Sequence, residues 1–354
     1  MPDTHAISDS TVTLGAEADY ECVDLFLRDF ILVQAIKGGM ETGLLQKLNR
    51  TPATCSSLLS DSGFDAKGLE FLLLTLSHYN VVVKNRAEQY ELSPEFSKAF
   101  YFKEYLQAKI EFSNFLAPDL MQNTTDFLHS EAQFMQSSRL FELFDYHRAL
   151  KVTPENVQFT RRWVRLTTAL TRHEAGVCLA HHDFSECLRI MDIGGNSGEF
   201  ARQIAEQYPQ LFATVVDLPV VCDIGREHTA KTAVAQRLEF YSANALQDPL
   251  PGQQCLISFK SVLHDWPTEA CERFLQQAYK SLKNTGELLI FERSAIDLTQ
   301  TPVTFGLLPT ALFYRSYRTP EEYIPMLQQC GFRQITIKRL PLETGFHMIT
   351  ARKS

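Results

Sequence analysis

The chain has 354 residues, of which 45% are hydrophobic and 21% are charged. These fractions are typical of globular proteins and exclude disordered, collagen-like and coiled-coil chains, and the length suffices for one large or two ordinary domains. The formal net charge of −8 disfavours a nucleic-acid partner held by bulk electrostatics, and no apolar run approaches the ~20 residues of a membrane helix.

The eight cysteines include no Cys-x-x-Cys pair, and the histidines show no metal-ligand spacing. We therefore expect no metal site, and free thiols in a reducing compartment. The expected protein is soluble and cytoplasmic, with no membrane or nucleic-acid partner.

The N-terminal third predicts a leader and a small helical domain. Residues 1–18 are polar, lack the positive and apolar segments of a signal peptide, and are expected to be disordered. Over residues 19–110 the pattern predicts helices and then two short strands at 81–83 and 90–93, the order of a winged-helix domain. Acidic residues outnumber basic ones here, and no Lys/Arg cluster marks a recognition helix. A dimerisation module is therefore favoured over DNA binding.

Residues 111–187 continue as helices that are rich in phenylalanine. Large aromatic side chains most often fill a core, although some of these rings could face a ligand. This segment is predicted to connect the domains and to form part of a substrate pocket.

From residue 188 to residue 354 the pattern changes to short apolar strands that alternate with helices. This alternation predicts an α/β fold with a Rossmann-like, mostly parallel sheet and helices on both faces. One helix is expected to start at Pro267, with Asp265 as its cap, and to end at 284–286. Two β-rich runs, at 334–338 and 346–351, predict a C-terminal antiparallel hairpin at one edge of the sheet.

The first of these strands ends in a glycine-bearing turn. Residues 192–198, with the sequence D-I-G-G-N-S-G, fit neither the dinucleotide spacing G-x-G-x-x-G nor the phosphate loop, which disfavours NAD enzymes and P-loop NTPases. Asp217 ends the next strand, near the ~20-residue offset at which an acid reaches ribose hydroxyls. A capping aspartate is the alternative. Together the turn and the acid favour a nucleoside cofactor without a pyrophosphate, and S-adenosylmethionine fits this description.

A histidine follows the fourth strand of the predicted sheet. His264 lies where that strand gives way to a helix, at the carboxyl edge where open α/β folds bind ligands. A lone histidine is more often structural, but at this position an imidazole could take a proton from an acceptor hydroxyl. Glu292 ends the next strand at the same edge and could orient the imidazole.

The sequence resembles the class I S-adenosylmethionine-dependent small-molecule O-methyltransferases, which include plant caffeate-type, hydroxyindole and bacterial polyketide enzymes. The resemblance runs over most of the chain, and its most specific element is His264-Asp265-Trp266. It is strongest in residues 191–198, 216–219, 260–267, 317–322 and 330–332.

The resemblance implies roles for individual residues. Gly194 would touch the methionine portion of the cofactor, Asp217 the ribose and Leu218 the adenine. The full cofactor-binding set is Asp192, Gly194, Gly198, Asp217, Leu218, Asn244, Ala245, Lys260 and Thr167. The substrate-binding set is Phe159, Trp163, Asp265, Leu308 and Leu312, and the catalytic set is His264, Glu292 and Tyr317. The N-terminal domain of the family also implies an intertwined homodimer in which each partner contributes a small part of the other's pocket.

Three positions depart from the family pattern. Asn196 replaces a glycine of the turn, and asparagine tolerates a positive φ better than most residues. Asn244 replaces an adenine-side aspartate. Tyr317 stands where many phenolic O-methyltransferases have a second glutamate beside the histidine. This difference affects the prediction of a phenolic acceptor more than the prediction of the cofactor.

The leading prediction is O-methylation of a small, apolar or aromatic secondary metabolite, with His264 as the general base. One alternative keeps the cofactor and methylates carbon or nitrogen. Another is cyclisation of S-adenosylmethionine by its own amine, which releases methylthioadenosine and a small cyclic amino acid of the azetidine-2-carboxylate type. The non-enzymatic alternative is a winged-helix regulator or a sensor of S-adenosylmethionine.

Overall fold

The computed structural model describes residues 19–27, 30–61, 63–139, 143–300 and 302–353, so the predicted leader lies outside the described residues. The chain divides into two compact units. The first comprises Met1–Asn114 and Val303–Leu308, and the second comprises Phe115–Pro302 and Pro309–Ser354.

The first unit is mainly helical. Helix α4 shows why: Leu69, Leu72, Leu73 and Leu76 recur at helical spacing and are buried, and the Asp65 side chain caps the first turn. Two short strands follow α4 as an antiparallel ribbon, in the predicted order. The elements are a 3-10 helix (Asp19–Phe26), α1 (Phe30–Glu41), α2 (Leu44–Leu48), α3 (Cys55–Asp61), α4 (Ala66–His78), β1 (Val82–Lys84), β2 (Tyr90–Leu92) and α5 (Pro94–Tyr101).

The second unit contains the remaining helices, the first of which begins in the first unit. The longest, α8, starts with Thr153 as its cap and a proline in its first turn. The helices are α6 (Lys103–His129), α7 (Glu131–Ser137), α8 (Pro154–His181), α9 (Glu199–Gln207), α10 (Pro219–Thr229), α11 (Thr268–Ser281), α12 (Leu308–Leu312) and α13 (Pro320–Gln329). Short 3-10 helices lie at Arg148–Leu150, Ala235–Arg237 and Leu263–Asp265, whereas the 3-10 helix Phe305–Leu307 and the first residue of α12 belong to the first unit.

The described part of the second unit holds a seven-stranded sheet, which confirms the predicted fold class. Its strands are β3 (Arg189–Ile193), β4 (Phe212–Asp217), β5 (Leu238–Ser242), β6 (Gln254–Lys260), β7 (Leu282–Arg293), β8 (Phe332–Leu340) and β9 (Phe346–Lys353). The order is β5-β4-β3-β6-β7-β9-β8. The first five run parallel, and β9 and β8 form the predicted antiparallel hairpin. The strand order reverses between β3 and β6, which is where open α/β sheets bind ligands.

The core of this unit lies between the sheet and the helices that cover it. Ile257, Phe259 and Ile290 of the strands pack in one buried cluster with Leu275 of α11 and Leu327 of α13. The near-continuous apolar character of these strands follows from burial of the sheet on both faces. No helix within the described ranges is long and apolar enough to cross a membrane.

Helix α11 corrects the expected boundaries. It begins at Thr268 after Pro267, and Asp265 does not cap it but belongs to the separate 3-10 turn Leu263–Asp265. It also ends earlier than expected, at Ser281, because strand β7 starts at the next residue. Asp265 is consequently available for other contacts.

Candidate active site

The turn between β3 and α9 has a backbone conformation that favours glycine. Gly194 and Gly198 have φ angles of 69° and 75°, and a Cβ atom on Gly194 would lie 2.7 Å from Cγ2 of Val262. Asn196 has a φ of 56°, in the same left-handed region. Asparagine adopts this region more readily than most residues, so its presence is compatible with the turn.

Asn196 connects the turn to β4 and α8 by hydrogen bonds. Its backbone N–H donates to Oδ2 of Asp217 at 2.8 Å, and its side-chain amide donates to Oγ1 of Thr167 at 3.1 Å. Its own Oδ1 accepts from the N–H of Ser197 at 2.7 Å. The structure therefore brings Thr167 of α8 and Asp217 of β4 together at the glycine turn.

Two carboxylates mark this edge of the sheet. Asp217 accepts a second backbone hydrogen bond from Leu218 at 2.7 Å, and burial raises its pKa to about 6. Asp192 is 1% exposed, and one of its oxygens accepts from the Ser258 hydroxyl at 2.6 Å. Among the described residues, its other oxygen has no hydrogen-bond partner, and burial raises the pKa of Asp192 to about 7. Both carboxylates suit a ligand that offers hydrogen-bond donors or positive charge.

The other predicted cofactor residues follow neighbouring strands. Asn244 and Ala245 come directly after β5, and the Asn244 side-chain oxygen accepts from the N–H of Leu246 at 3.1 Å.

Lys260 ends β6, where its ammonium group donates to Thr171 at 3.0 Å and to Glu174 of α8. Lys260 is therefore engaged in a buried ion cluster that also includes Arg293 and Glu343, which gives it a structural role at this edge.

His264 and Glu292 form a close pair at the same edge. Oε2 of Glu292 lies 2.7 Å from Nδ1 of His264, and Oε1 accepts backbone hydrogen bonds from Val262 and Leu263, both at 2.7 Å. Burial would raise the pKa of Glu292, but the imidazole and these hydrogen bonds hold it below its ordinary value. Because the carboxylate accepts at Nδ1, that nitrogen carries the proton in the neutral imidazole, and Nε2 then keeps its lone pair.

Arg318 fixes the turn that carries His264. Its guanidinium donates to the carbonyl oxygens of Leu263 at 2.9 Å and Trp266 at 2.6 Å. Glu292 thus binds the N–H groups of this one-turn helix, while Arg318 binds its carbonyls, as charged groups stabilise helix ends. The resemblance drew attention to residues 317–322 but gave no role for Arg318.

A second carboxylate lies on the other side of the imidazole. Oδ1 of Asp265 is 3.3 Å from Nε2 of His264, and Oδ2 accepts from the Tyr146 hydroxyl at 2.7 Å. Tyr146 stacks on Trp266 at a ring angle of 16° and meets the edge of Trp163. Sequence reasoning missed Tyr146, because it lies in an irregular segment 119 residues before Asp265.

Aromatic rings surround this side of His264. The Tyr317 ring lies 5.1 Å from the imidazole, and burial raises the pKa of Tyr317, so the phenol stays neutral. Phe313 lies 6.5 Å from the imidazole, and Phe144 contacts both Phe313 and Trp163. This group, Phe144, Tyr146, Trp163, Trp266, Phe313 and Tyr317, is called the aromatic wall below.

For the other predicted substrate residues, Phe159, Leu308 and Leu312, the structure gives no such contacts with His264. Phe159 is half-buried on α8, and the Arg148 guanidinium lies 4.3 Å from its ring centre. Leu312 is buried in the second unit. Leu308 is buried too but belongs to the first unit.

The glycine turn with Asp217 and the His264–Glu292 pair lie at the carboxyl edge of one parallel sheet, where α/β enzymes bind their ligands. The chain belongs to the family of O-methyltransferase domains, whose family model matches residues 128–333. This membership confirms the predicted family and its class, the S-adenosylmethionine-dependent methyltransferases.

Individual relatives match part of the chain. Acetylserotonin O-methyltransferase of Bos taurus is 31% identical over 187 residues, which is 51% of this chain and 52% of that protein. The 3-hydroxy-5-methyl-1-naphthoate 3-O-methyltransferase of Streptomyces sahachiroi is 31% identical over 161 residues, which is 44% of this chain and 46% of that protein. The chain thus spans about half the length of these curated relatives.

Solved structures support the fold over a longer stretch. Human N-acetylserotonin methyltransferase in complex with S-adenosylmethionine superposes with a TM-score of 0.69. The match covers 92% of this chain and 94% of that chain, at 21% sequence identity. At this identity the likeness concerns the fold alone.

A buried histidine behind Glu292 makes the protein sensitive to acid. His347 of β9 is completely buried opposite Glu292 of β7, next to the ring of Tyr323, and burial lowers its pKa to about 4. The ordinary imidazole pKa is ~6.5, so the unfolded chain binds this proton more tightly between those two values. The free energy of unfolding therefore falls as the pH falls from 6.5 towards 4, by up to about 1.4 kcal/mol per pH unit.

His347→Leu is expected to reduce this pH dependence. Neither ring nitrogen has a hydrogen-bond partner among the described residues, so the apolar side chain removes no such bond. Urea unfolding at pH 7.5, 6.0 and 5.0 measures the effect as the difference in slope between variant and parent. Equal slopes would mean that His347 is protonated in the folded protein.

Proposed function

We propose that the protein is an S-adenosylmethionine-dependent O-methyltransferase that acts on a hydroxyl group of a small aromatic molecule, with His264 as the general base. The observation that carries this proposal is the His264–Glu292 pair. Glu292 occupies Nδ1 at 2.7 Å, so Nε2, which lies 3.3 Å from Oδ1 of Asp265, is the nitrogen that can take a proton from an acceptor.

The residues at the neighbouring strand ends fit S-adenosylmethionine. Asp217 can accept from the ribose hydroxyls, since each of its oxygens takes one backbone N–H and keeps a further lone pair. The buried Oδ2 of Asp192, which has no hydrogen-bond partner among the described residues, would be stabilised in its ionised form by a cationic ligand near the turn of Gly194. When bound, this cofactor supplies an electrophilic methyl group whose carbon–sulfur bond breaks towards sulfur, which leaves neutral S-adenosylhomocysteine.

The chain's own contribution to the reaction is position and proton transfer. Nε2 of His264 takes the proton of the acceptor hydroxyl as the oxygen forms its bond to carbon. Glu292 holds the imidazole in the required tautomer and stabilises the imidazolium that forms, because its carboxylate faces Nδ1. The aromatic wall supplies apolar surface for a planar acceptor and excludes water from the base.

Product analysis tests the proposal. Purified protein is incubated with S-adenosylmethionine, alone and with panels of phenols, amines and 2-oxo acids, and the adenosine product is identified by mass spectrometry. S-adenosylhomocysteine that forms only with phenols is the expected result. Methylthioadenosine formed without any acceptor would overturn the proposal in favour of cofactor cyclisation, and product formed only with amines would change the accepting atom to nitrogen.

The homodimer stays a prediction. Phe71 and Leu74, three residues apart on α4, are 63% and 58% exposed, and such apolar surface favours a protein interface in the first unit. Light scattering at assay concentration measures the mass of the assembly, and a monomer would contradict the prediction.

A further inference from the structure

A buried glutamate follows the glycine turn directly. Glu199 is the first residue of α9 and comes after Gly198, whose φ is 75°. Only 1% of Glu199 is exposed. A carboxylate at this depth needs charged or hydrogen-bonding partners, and no step of the proposed reaction uses it.

Partners from three helices surround the Glu199 carboxylate. In α9 itself, the Arg202 guanidinium donates to both oxygens, at 2.7 and 3.0 Å, and the Gln203 amide donates to Oε1 at 2.9 Å. In α10, Nε2 of His228 lies 2.8 Å from Oε2, and in α8, Nε of Arg172 lies 3.6 Å from Oε1. Burial would raise the pKa of Glu199, but its hydrogen bonds to His228, Arg202 and Gln203 lower it to about 2, so the carboxylate is ionised at neutral pH.

Helix α8 is bonded to the same short stretch of chain at further points. The hydroxyl groups of Thr168 and Ser197 lie 2.7 Å apart. The Gln203 amide that binds Glu199 also donates to the carbonyl oxygen of Arg172 at 2.9 Å. Helix α8 thus contacts the end of the glycine turn on one side of Glu199 and α9 on the other.

The contact with α10 connects Glu199 to the predicted ribose and adenine residues. Helix α10 starts directly after Asp217 and Leu218, and His228 lies in its last turn. The contact between His228 and Glu199 therefore fixes the end of α10 to the start of α9. The glycine turn and the strand end that carries Asp217 are joined twice, by the backbone hydrogen bond to Asp217 and through α10.

We propose that Glu199 is a positioning residue for the cofactor: its carboxylate holds α8, α9 and α10 together, and the glycine turn and Asp217 thereby keep the geometry that binds S-adenosylmethionine. This inference rests on the cofactor site of the proposed function. Because Glu199 has almost no exposed surface, it acts through the chain that it holds and not by contact with the ligand.

Glu199→Gln tests the proposal, because glutamine has nearly the same shape but no charge. Calorimetry measures the dissociation constant of S-adenosylhomocysteine, and urea unfolding measures the stability of the variant. We expect the dissociation constant to rise by about two- to thirtyfold, the range for residues that modulate a site without touching its ligand. In turnover assays KM for S-adenosylmethionine should rise, while kcat at saturation stays that of the parent because the His264–Glu292 pair is unchanged.

Glu287→Gln is the matched control for a loss of stability alone. Glu287 lies on β7 in the same unit and also pairs with a histidine and an arginine, His182 at 3.0 Å and Arg352 at 2.6 Å. This variant should lower the free energy of unfolding and bind S-adenosylhomocysteine like the parent. An equal loss of affinity in both variants would overturn the proposal, and so would parental affinity in Glu199→Gln.

His228→Ala examines the link to α10 separately, and it decides the question if Glu199→Gln fails to fold. The His228 side chain is 28% exposed, so its removal leaves no large buried cavity. We expect weaker binding of S-adenosylhomocysteine, and in the double variant a loss smaller than the sum of the two single losses, because both changes break the same contact. Parental affinity in His228→Ala would refute the proposal, since α10 would then not be held through Glu199.

Binding of S-adenosylhomocysteine involves no turnover, so the result is separate from the proposed function. A parent that binds this ligand but methylates no phenol, with weaker binding in Glu199→Gln, would support the inference and overturn the proposed function. Methylation of a phenol, with parental cofactor affinity in Glu199→Gln, would do the reverse.

Discussion

Replacement of His264 by glutamine is expected to lower kcat by about 10²- to 10⁴-fold, the usual contribution of a general base. Glutamine can donate its amide N–H to Oε2 of Glu292, whereas alanine would leave this buried oxygen without its partner. The dissociation constant of S-adenosylmethionine should change little, because His264 takes no part in the hydrogen bonds that hold Asn196 and Asp217 at the glycine turn. Stopped-time assays of S-adenosylhomocysteine and calorimetry measure the two quantities.

The pH profile gives a second measurement of the same role. Burial lowers the pKa of His264, but the carboxylates of Asp265 and Glu292 outweigh it and raise the pKa above the ordinary value of 6.5. The base works in its neutral form, so kcat/KM should rise with pH through this raised pKa. Glu292→Gln removes one of the two carboxylates and should move the rise to lower pH, with a lower plateau because the imidazolium loses its stabilising charge.

A second, half-buried histidine–glutamate pair serves as the control. His182 and Glu287 lie 3.0 Å apart in the second unit and belong to none of the predicted site residues. His182→Gln should keep the parent's kcat and pH profile, even if the protein becomes less stable. A His264→Gln variant with the parent's kcat would exclude His264 as the base.

The sequence was enough to predict which side chains meet at the carboxyl edge of the sheet. Carboxyl ends of neighbouring parallel strands meet at one edge, so the alternation of strands and helices was enough to predict that His264 and Glu292 lie close together. The 2.7 Å contact between them agrees with this expectation. The position of Asp217 beside the glycine turn follows from the same rule, and its backbone bond from Asn196 agrees with it.

Contacts made by irregular segments could not be predicted in this way. Tyr146 lies in a stretch without hydrophobic periodicity, and nothing in its neighbours along the chain indicates that it donates to Asp265. Asp265 itself was expected to cap α11, because aspartate is a common cap and Pro267 suits a first helical turn. The 3-10 turn instead directs its carboxylate to His264 and Tyr146, which is a tertiary preference that local sequence does not encode.

Replacement of Asp217 by asparagine is expected to weaken binding of S-adenosylmethionine by about ten- to a hundredfold, the range for hydrogen bonds to a charged group. The two oxygens of Asp217 accept from the N–H groups of Asn196 and Leu218 at 2.8 and 2.7 Å. Asparagine has one oxygen, so its amide nitrogen would face one of these donors. The variant therefore disturbs the glycine turn as well as removing a ribose acceptor.

The pH dependence of binding distinguishes the carboxylate from its neighbours. Burial raises the pKa of Asp217 to about 6 in the free protein, and only the ionised form can accept from the two backbone donors and from ribose hydroxyls together. Affinity for S-adenosylhomocysteine should thus be constant above pH 7 and fall below pH 6, with uptake of a proton by the free protein. In Asp217→Asn this fall should disappear, since position 217 no longer carries a carboxylate that titrates.

Calorimetry of S-adenosylhomocysteine binding from pH 5 to pH 8 measures both effects. Asp223→Asn changes an exposed acid of the adjoining helix α10 in the same chemical way and should bind like the parent at every pH. If Asp217→Asn bound with parental affinity at pH 7.5, the ribose would have to be held by other residues. If it bound weakly but kept the fall below pH 6, a different carboxylate, of which Asp192 with its pKa of about 7 is the nearest in character, would control the titration. Asp217 is expected to control it, because it is the last residue of β4 and accepts a hydrogen bond from Asn196 in the turn.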